Sequence, residues 1–397
     1  MGSTGCVFLP EDVIFEILMR LPVRSLLRFK SVCKSWYKLI KSSDFIYRHA
    51  DKLDIKSKLG TFICQRHTLD QFFFLSGDES LDVFEDLGKP PCFNNKESDD
   101  SRGIMVASCH GIICIHDKKA KDIGLWNPAT RQFRLLPKPL SNGNLHEDFV
   151  GFGLDVENKD YKVLLVTSYK QQGWTHKYPL DCARKVQIYS LNTDSWRWID
   201  VDLPTHCPSL YDYKQGLYLN GNYFILGVDY CYPDVYSDLG ILSFDFNNEI
   251  FRKFPAPAGS NVPGSRLTHL YSIGDKLACT KDRDCDFFEV WVLNDYNMKE
   301  ESWATLYTIG PLWDRRVLND YDMEESCDKL YSIGPLWDSP YNPPFASTRN
   351  GEFGLLMVAD GMPIYNFATG QREDRNLGNV CNAEPYKESL VSIHARS

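Results

Sequence analysis

Three side chains with metal-binding chemistry stand close together in the chain. His110, Cys114 and His116 lie at even separations, so along one β-strand they would share a face. Two imidazoles and a thiolate suit zinc, but a structural zinc takes four ligands and no second pair stands at ligand spacing. An apolar strand without a metal is therefore the expected reading. The chain carries no G-x-S-x-G, P-loop, G-x-G-x-x-G or H-E-x-x-H signature. The acidic pairs Asp99–Asp100 and Glu300–Glu301 sit in polar, turn-like sequence and read as solvated. Nothing here selects a reaction or a cofactor, which leaves binding surfaces as the chemistry on offer.

The chain has 397 residues, 43% of them hydrophobic and 24% charged, which is ordinary globular composition with ample material for a core. Thirteen cysteines without a C-x-x-C read as reduced, mostly buried thiols. The start, MGSTGCVFLPED, lacks the basic head and continuous apolar run of a secretory signal. No stretch approaches the roughly 18 apolar residues of a membrane span. A soluble protein of the cytoplasm, or also the nucleus, is expected. Charge is uneven: residues 20–58 carry +8 and residues 59–397 carry −14, within a total of −9.

Leu9 to Ile40 differs from the rest in being helical, apolar and basic. Val13, Ile14, Ile17, Leu18 and Leu21 recur on one helix face. Pro10 followed by Glu11 and Asp12 suits a first turn, and Pro22 ends that helix. Further apolar runs follow at Val23, Leu26, Leu27 and Phe29, then at Val32, Cys33, Trp36, Leu39 and Ile40. Three such short helices cannot bury all this surface among themselves, because small domains bury a low fraction of their area. The surplus calls for a partner. Basic residues interleaved with the apolar ones favour an acidic protein over nucleic acid. Ser42–Lys58 reads as one more helix and a charged connector.

These residues also carry a resemblance. L-P-E-D at Leu9–Asp12, I-L-M-R-L-P-V-R-S-L-L-R-F-K at Ile17–Lys30 and V-C-K-S-W at Val32–Trp36 resemble an F-box. The resemblance implies docking on an acidic Skp-type adaptor, which bridges to a cullin scaffold in an SCF ubiquitin ligase. It implies an adaptor-facing set of Leu9, Pro10, Ile14, Ile17, Leu18, Leu21, Pro22, Val23, Leu26, Leu27, Val32, Cys33 and Trp36. Val13, Phe29, Leu39 and Ile40 are expected to be bundle core, and Trp36 to serve both core and partner. Cys33 sits in an apolar helix without a neighbouring base. In F-box ligases no thioester forms on this subunit, so Cys33 is not read as a nucleophile.

From Gly60 the period changes. Strand-like runs occur at Thr61–Gln65, Ile112–His116, Ile123–Trp126, Tyr161–Tyr169, Val186–Leu191, Gly221–Val228, Ile241–Phe246, Phe287–Leu293, Phe353–Val358 and Ser389–His394. Without long amphipathic helices between them, an antiparallel sandwich, barrel or propeller is expected. A strand, an Asn or Asp turn that tolerates left-handed backbone, and an aromatic return strand recur at Trp126–Leu135, Tyr189–Arg197, Phe244–Arg252 and Val292–Tyr307. The anchors Phe133, Trp196, Phe251 and Trp303 lie 63, 55 and 52 residues apart, a loose fit to propeller blades. S-C-H-G-I-I-C-I at Ser108–Ile115, L-W-N-P-A-T-R-Q-F-R-L-L-P at Leu125–Pro137, G-F-G-L-D at Gly151–Asp155, D-Y-K-V at Asp160–Val163 and F-D-F-N-N-E-I-F-R at Phe244–Arg252 resemble the plant F-box-associated domain. Within that family, Asn127–Pro137, Gly151–Val163 and Tyr386–Leu390 are most similar to the S-locus F-box proteins of pollen.

The expected architecture is α+β and multidomain: a helical F-box bundle over 1–50, a linker over 51–60, and a mostly antiparallel all-β domain over 61–397, propeller-like and kelch-like. The expected function is a non-catalytic client-recognition subunit of an SCF ubiquitin ligase, without cofactor or metal. Under the S-locus reading the client would resemble a basic secreted ribonuclease (S-RNase), consistent with the acidic 59–397 region; no membrane or nucleic-acid partner is expected. A propeller-type enzyme tethered by its F-box, a ligand sensor, and a regulator of another client in defence or hormone signalling are the alternatives. One segment departs from the family: 292–314 is followed by 317–338 with 17 of 22 aligned positions identical, a recent tandem duplication. The copy has Cys327 where the first has Trp303, and 315–338 is expected to project as a loop without adding a blade. Deleting 315–338 should leave the melting temperature nearly unchanged in a thermal denaturation experiment; a fall of many degrees would make the copy part of the fold.

Overall fold

The computed structural model describes residues 9–51, 61–66, 71–76, 83–91, 103–117, 120–140, 145–169, 184–203, 216–227, 230–231, 235–236, 240–260, 265–283, 287–296, 302–310, 330–332, 344–347, 353–356, 364–366, 371–373 and 380–394. Four short helices open it: α1 (Glu11–Leu18), α2 (Val23–Phe29), α3 (Lys34–Lys41) and α4 (Ser43–Asp51). Strands follow in groups. They are β1 (Thr61–Arg66), β2 (Gln71–Ser76), β3 (Val83–Gly88); then β4 (Gly103–Cys109), β5 (Ile112–Asp117), β6 (Asp122–Asn127), β7 (Gln132–Leu135). Next come β8 (Leu145–Asp155), β9 (Asp160–Tyr169), β10 (Arg184–Ser190), β11 (Ser195–Ile199); and β12 (Leu217–Leu219), β13 (Asn222–Gly227), β14 (Tyr230–Cys231), β15 (Val235–Tyr236), β16 (Gly240–Asp245), β17 (Ile250–Phe254). The last are β18 (Ser265–Ile273), β19 (Lys276–Arg283), β20 (Phe287–Leu293), β21 (Trp303–Gly310), β22 (Leu330–Ser332); β23 (Pro344–Ser347), β24 (Phe353–Leu356), β25 (Ile364–Asn366), β26 (Gln371–Glu373); and β27 (Val380–Tyr386).

Each group is built as an up-and-down antiparallel sheet, with β22 added parallel at the edge of the fifth; among the described residues six such sheets are present, with β14–β15 a small ribbon inserted in the fourth. The leading strands of the sheets touch in turn: β27 meets β4, β4 meets β8, β12 meets β18, β18 meets β23, and β23 meets β27. This is a β-propeller, and each sheet is a blade. The first blade lacks its own leading strand. β27 supplies it, pairing antiparallel with β1 from Thr61↔Tyr386 to Arg66↔Val380 and closing the ring.

The expected runs from Ile112 to Leu293 all fall on strands, because Val, Ile, Phe and Tyr alternate there between turn residues. Ser389–His394 does not form a strand, and β27, with Asn382, Glu384 and Pro385, gave no strand signal at all. Proline is tolerated there because β27 pairs on one side only. The anchors Phe133, Trp196, Phe251 and Trp303 lie on the fourth strands of blades two to five. Trp196 donates Nε1–H to the Pro137 carbonyl at 2.7 Å, and Trp303 does the same to Pro255 at 2.9 Å, each tying its blade to the connector that leads into it.

The turn of Tyr189–Arg197 places Asp194 in the left-handed position as expected, while at Trp126–Leu135 and Phe244–Arg252 Asn and Asp are used differently. The side chain at the start of each turn accepts from the backbone N–H three residues on: Asp117 from Ala120, Asn127 from Thr130, Asp155 from Asn158, Ser190 from Thr193 and Asp245 from Asn248. The left-handed residue is the next one along: Lys121, Arg131, Lys159, Asp194 and Glu249, with φ from 50° to 56°. The polar residue therefore locks the turn, and a long side chain takes the left-handed position in four of the five, Asp194 being the exception.

Blades three and four are fastened by charge. Lys162 Nζ donates to Asp155 Oδ2 at 2.7 Å, to Glu249 Oε1 at 2.8 Å and to the Phe246 carbonyl at 3.1 Å. Burial alone would lower the Lys162 pKa, but the two carboxylates outweigh it and hold the ammonium above its usual range. At Gly153, a Cβ would lie 2.3 Å from the Tyr218 ring and 2.4 Å from Phe246, so the glycines of G-F-G-L-D admit aromatic rings of the next blade. Of the 315–338 segment, only β22 falls within the described residues; it adds a parallel edge strand to β21.

Glu384, on the ring-closing strand opposite Ile63, is 8% exposed, and burial pushes its carboxyl from 4.5 up to about 8. The folded protein thus keeps a proton that the unfolded chain releases near pH 4.5, so stability falls as pH rises from about 4.5 to 8. Glu384→Gln should flatten that slope and stabilise the protein at pH 8 by on the order of 3 kcal/mol. Urea denaturation of both proteins at pH 5 and pH 8 measures this, and parallel pH slopes would refute it.

Candidate functional site

The helical head is where sequence chemistry and exposed surface coincide. Pro10 and Pro22 both take extended backbone (φ −55° and −59°, ψ near 150°) and serve as N-caps of α1 and α2, their carbonyls receiving Ile14 N–H and Leu26 N–H at 3.1 Å. Pro10 is thus one position ahead of the first helical turn, in which Glu11 and Asp12 face the positive end of the helix. Cys33 caps α3, its Sγ accepting from Trp36 N–H at 3.5 Å.

Inside the head, Leu18, Met19, Val23, Leu26, Ile40 and Phe45 form one buried cluster. Phe15 packs edge-on against Phe45 with centroids 5.5 Å apart, and Phe29 tilts against Trp36 at 5.4 Å. His49 closes the bundle, Nε2 lying 2.9 Å from the Leu21 carbonyl.

Outside, apolar side chains remain in solvent: Leu9 is 52% exposed, Val13 38%, Ile17 43%, Val32 58% and Tyr37 45%. Pro10, Pro22 and Cys33 are exposed as well, and Ile14, Leu21, Leu27 and Trp36 are half-buried. Val13 and Ile17, one helical turn apart, form a ridge on α1. The family-implied set therefore divides: Leu18, Val23 and Leu26 lie in the bundle core, and the remaining ten offer surface. Val13, expected in the core, is on the ridge; its i, i+4 pairing with Ile17 was the signal that would have placed it there. Tyr37 was not anticipated.

Lys41 donates Nζ to the Tyr37 hydroxyl at 3.1 Å and lies over its ring, which holds the phenol pKa below its usual value. Lys30 is lowered by partial burial and then by Lys41. The Cys33 thiol is lowered by the Ser35 hydroxyl and the Trp36 N–H. Exposed apolar and basic side chains thus share the surface of the head. The candidate metal residues do not converge. His110 sits in the turn before β5 with φ 46°, near Tyr161; Cys114 is in the core. Among the described residues no three His, Cys, Asp or Glu side chains form a group that could hold a metal ion. None of the described helices is long and apolar enough to cross a membrane.

Comparison with protein-family models gives two matches. The F-box domain matches residues 8–48, and the F-box associated beta propeller domain matches residues 35–393. The chain belongs to the F-box associated β-propeller family. Among its relatives in Arabidopsis thaliana, an F-box protein is 28% identical over 321 residues, covering 78% of this chain and 76% of that protein. A putative F-box/kelch-repeat protein is 28% identical over 337 residues (80% and 76%), and an F-box/kelch-repeat protein 28% over 331 residues (77% and 80%). The exposed Leu9, Val13, Ile17 and Val32 belong to the F-box, and the propeller to the associated domain.

Proposed function

We propose that this chain is a non-catalytic substrate receptor of an SCF ubiquitin ligase. Its F-box docks on a Skp-type adaptor and its propeller holds a client protein, in the cytoplasm or nucleus. The observation that carries this is that Leu9, Val13, Ile17 and Val32 stay in solvent while Leu18, Val23, Leu26, Ile40 and Phe45 fill the bundle core together with Leu390. Exposed apolar ridges of this kind mark protein contacts. The adaptor contacts are Leu9, Pro10, Val13, Ile17, Pro22, Val32 and Cys33, with Ile14, Leu21, Leu27 and Trp36 reached at their edges. The mechanism is proximity: the receptor raises the effective concentration of client lysines at the conjugating enzyme and moves no proton itself. The −14 of residues 59–397 supports a basic client. An S-locus role, with a basic secreted ribonuclease as client, is the finer reading that the resemblance of Asn127–Pro137 and Gly151–Val163 favours.

Ile17→Asp with Val32→Asp changes two exposed residues and should shift stability by no more than about 0.5 kcal/mol each. Co-expression of the full chain with a Skp-type adaptor and cullin should recover the complex with the native chain and lose it with this variant. Equal recovery would sink the reading. Electrostatic capture further predicts that a basic ribonuclease bound to the full chain dissociates several-fold more readily as salt rises to about 0.3 M. Binding that ignores salt would remove the electrostatic part.

A further inference from the structure

The segment after the ring-closing strand, Lys387–His394, runs between the propeller and the F-box. Its side chains divide between the two. Leu390 is 4% exposed and sits in the F-box core with Leu18, Val23, Leu26, Ile40 and Phe45. Val391 and Ile393, at 4% and 0%, belong to the core shared by blades two to four. Buried Asn127, at the start of a blade-two turn, donates both amide hydrogens to this segment, to the Ser389 carbonyl at 3.1 Å and the Val391 carbonyl at 2.8 Å. Arg134 reaches the Ile393 carbonyl at 3.3 Å. Gly111, with φ +73°, lets the segment pass: a Cβ there would lie 2.6 Å from the Lys387 carbonyl oxygen and 2.6 Å from Ser389 Cβ.

The F-box side is tied equally. Lys387 Nζ donates to the Ala50 carbonyl at 2.9 Å, near the end of α4. Arg24 of α2 pairs with Glu388 at 3.6 Å and with Glu85 of blade one. Tyr47 donates its hydroxyl to the Lys159 carbonyl at 2.7 Å. The last residues of the described chain therefore complete the core of its first domain, and they do so beside β27, whose pairing closes the propeller.

We propose that residues 387–394 are a strap that makes F-box competence conditional on a finished propeller. The F-box is made before the propeller, but its core lacks Leu390 until residues 387–394 have been synthesised and β27 has been laid against β1. Chains with an incomplete or opened ring then present a loosened F-box and fail to engage the adaptor, so that only whole receptors enter the ligase. The adaptor half of this rests on the function proposed above; the coupling of head to ring does not.

The test compares the full chain with Leu390→Ser and Leu390→Met by hydrogen–deuterium exchange read peptide by peptide, alongside adaptor affinity. Leu390→Ser should lose amide protection in α1–α4 while β8–β10 stay protected, and should bind the adaptor at least tenfold more weakly; Leu390→Met should restore both. Unchanged protection in the helices would overturn the proposal. Loss spread equally over helices and blades would overturn it too, since Leu390 would then be an ordinary propeller residue. If the native chain itself ignores the adaptor while the exchange pattern holds, the functional reading fails and the strap stands.

Discussion

The ladder between β27 and β1 is the interaction on which the remaining blades rest. It joins the two ends of a chain that otherwise forms a row of separate hairpin sheets, each with an unpaired leading edge. Bringing together points separated by most of the chain costs about 5 kcal/mol in loop entropy. Against that stand six registered residue pairs, whose hydrogen bonds contribute about 1 kcal/mol each. Burial of Ile63 and of Tyr386, stacked on Phe74 with centroids 4.8 Å apart, adds about 2 kcal/mol apiece. The balance is favourable but not wide. It leaves room for the buried proton on Glu384 to matter, because the strand that closes the ring also carries this displaced carboxyl.

The F-box makes the opposite trade. Four helices of seven to nine residues are each too short to persist alone, and their stability comes from packing an apolar face. Two supports come from outside the bundle. One is internal to the chain: Leu390 and Ala129 pack against the bundle core from the propeller side. The other is the surface left open, Leu9, Val13, Ile17 and Val32, which the head cannot cover with its own residues. A domain so placed transmits position well, for its inner face is fixed to one partner and its outer face awaits the other.

Much of this was legible beforehand, and the gaps have physical causes. The helical head was visible because its apolar residues repeat at helical spacing between two prolines. The blades were visible because Phe133, Trp196, Phe251 and Trp303 return at similar intervals. The division of the F-box residues into core and ridge was not, since Leu18 and Ile17 are equally apolar and adjacent; only the packing of α2 and α4 decides which turns inward. Ring closure was hidden for a different reason. β27 pairs on one side, carries Asn382, Glu384 and Pro385, and owes its conformation to a partner strand more than three hundred residues away. The stretch after it looked like a strand because Leu390, Val391 and Ile393 are apolar, but their burial serves two different cores.

The left-handed residues of the turns carry a consequence for how the disc is held together. Asp194 takes the Tyr189 hydroxyl at 2.7 Å and pairs with Arg134 of the preceding blade; Glu249 takes Lys162 and Arg197 of the preceding blade; Lys159 lies over Tyr47 of the head. In each case the residue in the least comfortable backbone state is also the one that reaches across a seam. Glycine would sit there with less strain, and each hairpin taken alone would tighten. The wheel would then loosen at its joints, so local ease and collective cohesion pull these few positions in opposite directions.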